Sequence, residues 1–173
     1  MAEADLIVTF DPSHAGSAKE EVNRVLKEVK KEAKHLKSEI DGLFKLKIGN
    51  SKDVVKSLKK LHSKKPDLFE RTCHWTPIEK WCKSSVKDMQ KTVKKMQEKI
   101  KKTDKWKMEL TKRHYPKSST VDLILKLTEV VDKPKVDLKK PKKIIQVEVM
   151  GNKAGLSLLG TDELLNTLKG KKK

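Results

Sequence analysis

Val86, Met89, Val93, Met96 and Ile100 recur at spacings of three, four, three and four, so a helix through them is apolar along one stripe only. Such a helix cannot stand alone and must lay that stripe on another layer. Ser85 and Asp88 are spaced as a capping box at its start. The same period runs through Val22, Val25, Leu26, Val29, Ala33 and Leu36, predicting a helix over residues 17–36. It returns in Val54, Val55, Leu58 and Leu61, in a helix capped by Asn50 or Ser51 and ended by Lys65-Pro66. A fourth helix, opened by Ser119 and Asp122, carries Leu123, Ile124, Leu127, Val130 and Val131 and stops before Lys133-Pro134.

Between these stripes lie segments with strand signals. Residues 5–10 (DLIVTF) form a short buried-strand pattern ended by Asp11-Pro12. Residues 38–48 carry Asp41-Gly42, a strong hairpin signal, followed by the alternation of Leu43, Lys45 and Lys47 with Phe44, Leu46 and Ile48. Residues 68–75 are a further strand candidate, which makes the first half βαββαβ, the split βαβ or ferredoxin-like order. In the second half Trp106, Met108 and Leu110 alternate with polar residues, and residues 144–150 and 153–159 form two strands joined by Gly151-Asn152. The expectation is a mixed α/β (α+β) chain: a ferredoxin-like domain at 1–83, an αβαββ domain at 84–160, and a lysine-rich C-terminal tail at 161–173, in which the short apolar segment of Leu164, Leu165 and Leu168 precedes a mobile lysine end from Lys169.

The chain of 173 residues holds 42 basic and 24 acidic side chains, net +18, and calls for a polyanionic partner, since phosphate contacts release counterions. Nucleic acid leads, with an anionic membrane surface second. Residues 1–83 carry 18 basic and 13 acidic side chains and residues 84–173 carry 24 and 11, so the second half is the expected anion-binding half. Only Arg24, Arg71 and Arg113 are arginines, and lysine also serves as solvated surface. The outer face of the helix capped at Ser85, with Lys87, Lys91, Lys94, Lys95, Lys99, Lys101 and Lys102, is for most of these lysines read in that way, as solvated surface.

Residues 1–10 carry Glu3 and Asp5 with only a brief apolar run, which fits neither a secretory signal nor a membrane span, and a cytoplasmic protein is expected. Cys73 and Cys82 lack a CxxC unit and fit free thiols in a reducing compartment. Together with His74 they make a poor zinc site, so neither metal nor cofactor is expected. No serine lies in a nucleophile elbow, and His14, His35, His62, His74 and His114 are scattered, so a non-catalytic chain is expected.

Residues 71–83 (RTCHWTPIEKWCK), residues 106–113 (WKMELTKR), residues 136–141 (VDLKKP) and the hairpin of residues 144–159 resemble, in order and spacing, the THUMP-domain proteins, specifically the stand-alone type that assists tRNA cytidine acetylation. The resemblance implies a ferredoxin-like domain joined to a THUMP domain, a pair that grips the acceptor end of tRNA and presents it to a modifying enzyme. The chain reaches Lys173 with no glycine-rich nucleotide loop after a strand, so the adaptor type is expected, with a tRNA acetyltransferase as partner and no membrane.

Candidate RNA contacts follow from the charge and the turns. Lys112, Arg113, His114 and Lys117, with Tyr115, gather where a strand leaves its sheet and near a helix start whose amides favour phosphate. Arg71, Lys80 and Lys83 flank the junction between the two halves, where Trp75 and Trp81 are either base platforms or packing. Lys139, Lys140, Lys142 and Lys143 flank Pro141 in the densest basic run, either a phosphate contact set or an exposed connection. A general RNA-binding or ribosome-associated protein without tRNA specificity is the alternative that lysine-rich composition alone supports.

Overall fold

The computed structural model describes residues 3–168. They form two compact units, one comprising Met1–Ile78 with the segment that starts at Asp162, the other Glu79–Thr161.

In the first unit β1 (Leu6–Phe10), β2 (Lys34–Leu36), β3 (Leu43–Lys47) and β4 (Thr72–Pro77) are joined through α1 (Ala15–Glu28) and α2 (Ser51–Lys64). The sheet order β2-β3-β1-β4 is antiparallel throughout, the split βαβ arrangement expected from the sequence. A fifth strand, β9 (Leu165–Asn166), pairs with β4. The helix stripes behave as their spacing requires: Val22, Val25 and Leu26 of α1 and Val54, Val55 and Leu58 of α2 share a core with Leu6, Val8, Leu46 and Trp75.

α1 stops at Glu28 instead of running to Leu36. The Lys30 amide donates to the Lys27 carbonyl (2.9 Å) and the Lys31 amide to the Leu26 carbonyl (2.8 Å), a Schellman ending with Lys30 left-handed at φ 60°. Glycine is the usual stop signal there, so its absence let the apolar period appear to continue. Ala33 and Leu36 therefore leave the helix, and β2 forms at 34–36 instead of within the expected hairpin. Gly42 is a turn residue at φ 79°, and a Cβ there would meet the Phe10 carbonyl oxygen at 2.8 Å.

Nothing in the sequence sets Glu21 apart from Glu20 and Glu28 of the same helix. Glu21 is buried, and its carboxylate accepts from three consecutive amides, those of Glu70 (2.8 Å), Arg71 (2.9 Å) and Thr72 (2.7 Å), at the entry to β4. This contact ties α1 to β4 across about fifty residues of chain.

The second unit contains β5 (Lys80–Lys83), α3 (Val86–Met96), β6 (Trp106–Arg113), α4 (Thr120–Thr128), β7 (Lys143–Met150) and β8 (Lys153–Leu159), in the sheet order β5-β8-β7-β6. The αβαββ order is as expected, with β5 added in front of it. β5 pairs antiparallel with β8, so residues 80–83 belong to this sheet and the units divide after Ile78 rather than after Lys83. Residues 162–168 likewise depart from the expected tail: β9 joins the first sheet, and the Thr167 hydroxyl donates to the Thr72 carbonyl (2.6 Å). The lysines expected to form a mobile end from Lys169 onward lie outside the described residues.

α3 and α4 both cover one face of the second sheet, with Met89, Val93, Leu123 and Leu127 packed on Ile145, Val147, Val149 and Leu156. Of the three predicted caps two form, Ser85 accepting from the Asp88 amide and Ser119 from the Asp122 amide, whereas Asn50 stands at the N-cap of α2 in a left-handed backbone with no side-chain cap bond. Among the described residues no helix is long and apolar enough to cross a membrane.

Replacing Glu21 by alanine leaves three amides without their acceptor, and the expected loss is roughly 3 kcal/mol or more in denaturant unfolding, with Glu21→Gln losing less. Lys30→Gly should instead raise stability by about 0.5–1 kcal/mol in the same measurement, since glycine adopts a left-handed backbone without steric strain.

Candidate nucleic-acid interface

β6 and β7 pair in parallel over eight residues, Trp106 opposite Lys143 through Arg113 opposite Met150. The strand that carries the basic cluster is thereby held at its far end by β7 and by the turn that follows β7. The Gly151 amide donates to the Arg113 carbonyl (2.9 Å), the Ser84 amide to the Asn152 carbonyl (3.1 Å), and the Ser84 hydroxyl to the Gly151 carbonyl (2.7 Å). The Tyr115 hydroxyl closes the corner on the Ser84 carbonyl (2.9 Å). The fold therefore brings three separated stretches together at one corner: the link from β5 into α3, the end of β6 and the β7–β8 turn.

Lys83, Arg113, His114 and Lys117 all belong to segments at this corner. His114 is exposed and left-handed at φ 54°, which turns the chain out of the sheet toward the N-terminus of α4. Lys117 is exposed two residues before the Ser119 cap. Two expected cations are engaged within the protein: Lys112 donates through Nζ to the Tyr115 carbonyl (3.2 Å), and Arg113 Nη1 lies 3.5 Å from Glu148 Oε2. Tyr115 is 6% exposed, and its ring belongs to the core beside Leu123 and Val149 instead of offering a platform for a base.

Strand alternation places Glu148 beside Gln146 on the sheet face turned away from the helices, with Thr111 opposite Glu148 on β6. Glu148 is 4% exposed, and burial pushes its carboxyl up to about 7 against the opposing pull of Arg113. The signal was legible in residues 144–150 (IIQVEVM), where two of the four alternate positions are polar in an otherwise apolar run.

The lysine run 139–143 lies at the opposite end of the sheet. The Lys142 and Lys143 amides donate to the Lys105 carbonyl (2.7 and 3.1 Å), just before β6 begins. Eight residues of strand separate them from Arg113, about 23 Å. The Asp137 carboxylate accepts from the Lys139 and Lys140 amides, and the amides of Lys140 and Lys139 hold its carboxyl below the ordinary value. Lys142 is 69% exposed and pairs with Asp104 (3.4 Å), while Lys139 and Lys140 point their charges into solvent.

The expected junction group divides between the units. Arg71 belongs to the first, where its amide donates to Glu21, and Lys80 and Lys83 are exposed on β5 in the second. Trp75 is fully buried with its indole N–H on the Thr72 hydroxyl, so it is packing, and Trp81 is half-buried on β5. Neither Cys73 nor Cys82 forms a disulfide, and among the described residues no three His, Cys, Asp or Glu side chains gather as metal ligands.

Residues 83–159 match the family model of the THUMP domain. A THUMP domain is present in the second unit. The THUMP match begins at Lys83, the last residue of β5. Among solved structures the chain is similar to PH1313 from Pyrococcus horikoshii Ot3, at 16% identity and a TM-score of 0.66, covering 95% of this chain and 55% of that one. It is similar to TrmN from Thermus thermophilus at 14% identity and a TM-score of 0.58, covering 88% of this chain and 44% of that one. It is also similar to a 4-thiouridine synthetase solved as an RNA complex with bound ATP, at 16% identity and a TM-score of 0.54, covering 95% and 42%. The chain thus spans about half the length of these structures, and at such identities the likeness establishes the fold. No curated protein matches it.

The raised carboxyl of Glu148 gives the THUMP domain a pH signature. The folded state keeps a proton that the unfolded chain releases, so stability should fall as pH rises from about 4.5 to about 7 and level off above that. Glu148→Gln is expected to flatten this decline in thermal melts taken across that window. An identical slope in both proteins would remove Glu148 as its source.

Proposed function

We propose that the protein is a cytoplasmic tRNA-binding adaptor that takes the acceptor end of tRNA and presents it to a separate modifying enzyme, a tRNA cytidine N4-acetyltransferase, without catalysing a reaction itself. The observation that carries this reading is the THUMP domain at residues 83–159 within a chain of net charge +18. Its fold is shared with a 4-thiouridine synthetase that was solved with RNA, which supports RNA as the polyanion.

Within this reading His114 and Lys117 at the corner, Lys80 and Lys83 on β5, and Arg71, Lys139 and Lys140 are the candidate groups with exposed side chains. Lys112 and Arg113 act from within, holding the corner whose neighbours meet the RNA, and Lys142 reaches solvent while paired to Asp104. The unpaired bases of a 3′ end are the feature that sets an acceptor end apart from the duplex behind it.

A general RNA-binding protein is the second reading, and the preponderance of lysine over arginine favours it, since an ammonium reads charge without the planar fork that arginine brings to a base edge. Binding measured at matched salt separates the two. The adaptor predicts an affinity order of full tRNA above tRNA trimmed of its 3′ end, and both above unrelated RNA; equal affinity for all three leaves only the general reading. The purified chain is expected to show no turnover of tRNA with acetyl-CoA and to co-purify with tRNA acetyltransferase activity.

A further inference from the structure

We propose that the outer face of α3 is a track for the phosphate backbone of RNA, formed by Lys87, Lys91, Lys94 and Lys95. The proposal rests on the RNA-binding reading and assigns it a surface distinct from the candidate residues at the β6 end and in the 139–143 run.

At 100° per residue these four lysines fall within an arc of about 100°, centred opposite the arc of Val86, Met89, Val93 and Met96 that packs on the sheet. All four are exposed, and among the described residues no acidic side chain is paired with any of them. The contrast lies within the same unit: Lys105, Lys133, Lys142 and Arg113 are bound to Asp137, Asp132, Asp104 and Glu148. Cations already paired release little on meeting a phosphate, whereas unpaired exposed ones release a counterion each.

The position of α3 gives the track its direction. The helix starts at the corner shared with Arg113 and Tyr115, where Ser84 is bonded to Tyr115 and to the β7–β8 turn. After α3 the chain passes through residues 97–105 to Lys105, whose carbonyl holds Lys142 and Lys143 at the end of the 139–143 run. α3 therefore joins the two ends of the sheet that carry the other basic groups. Lys87, Lys91 and Lys95 succeed one another at about 6 Å along the helix axis, one turn apart.

The composition of the face selects the partner. It carries no aromatic or apolar residue, so it has nothing to stack on a base or to bury against a protein, and lysine is depleted at protein–protein interfaces. A sequence-independent contact to phosphate is what remains.

The test is the salt dependence of binding by the full chain to tRNA and to an RNA duplex of unrelated sequence. Lys87→Gln, Lys91→Gln, Lys94→Gln and Lys95→Gln combined should lower the slope of log affinity against log salt by about 3 and weaken both RNAs roughly tenfold or more at ~0.15 M salt. A control that neutralises Lys27, Lys31, Lys60 and Lys64 should leave most of the slope in place. Circular dichroism checks that α3 persists, and single Lys91→Gln and Lys95→Gln variants, each lowering the slope by roughly one, give the same reading if the combined variant does not fold. An unchanged slope overturns the track, as does an equal fall in the control or a loss confined to tRNA. An unchanged RNA slope with lost binding to poly-glutamate overturns it in favour of an acidic protein partner. Wild-type protein that binds neither RNA removes the RNA-binding reading itself, a result visible before any variant is made.

Discussion

The parallel pairing of β6 with β7 governs the second unit. Parallel neighbours cannot be joined by a hairpin, so the chain from His114 to Lys142 must travel back along the sheet, and α4 is that return. With α3 beside it, both helices lie on one face, where Met89, Leu123 and Leu127 close the core over Ile145 and Val147. The pairing also sets the far end of β6 against the β7–β8 turn, and the Gly151 amide on the Arg113 carbonyl fixes that end. Arg113 and the residues that follow it take their position from this register, and the β5–β8 pairing brings Lys83 and Ser84 to the same turn.

The same register explains why the most basic-looking stretch of the chain is partly an internal structure. Lys112 falls on the helix-facing side of β6 and turns to the Tyr115 carbonyl; Arg113 falls on the other side and meets Glu148. Burying a carboxylate is unfavourable unless a cation or hydrogen bonds offset it, and Glu148 takes the Arg113 guanidinium as its partner while its carboxyl still shifts upward. An arginine held in this way shapes the corner. The exposed, unpaired lysines of α3, which the sequence alone presents as solvated surface, are among the cations with charge to spare.

The ferredoxin-like order was legible in the sequence because apolar periods of 3.6 and 2 are properties of local chain geometry, while the THUMP resemblance lay in particular strings such as residues 106–113. The caps at Ser85 and Ser119 were legible for the same reason, since each reaches an amide only three residues ahead. The end of α1 was not, because its stop lies in the left-handed backbone of Lys30, a residue with no turn signature. β5 and β9 were missed as well: each is short, and each is a strand because of a partner far along the chain, β8 for one and β4 for the other.

By itself, then, the sequence determined which segments are helices with one buried stripe, the mixed α/β class, and the basic excess of the second half. Only the tertiary structure decided which charges are free, because pairing depends on groups brought near by folding and not by sequence. Glu21 reaches amides about fifty residues on, Glu148 finds Arg113 across two strands, and Asp104 finds Lys142 at the start of β7. A lysine's role is set by what lies within a few ångströms of its ammonium, and that distance is a property of the fold.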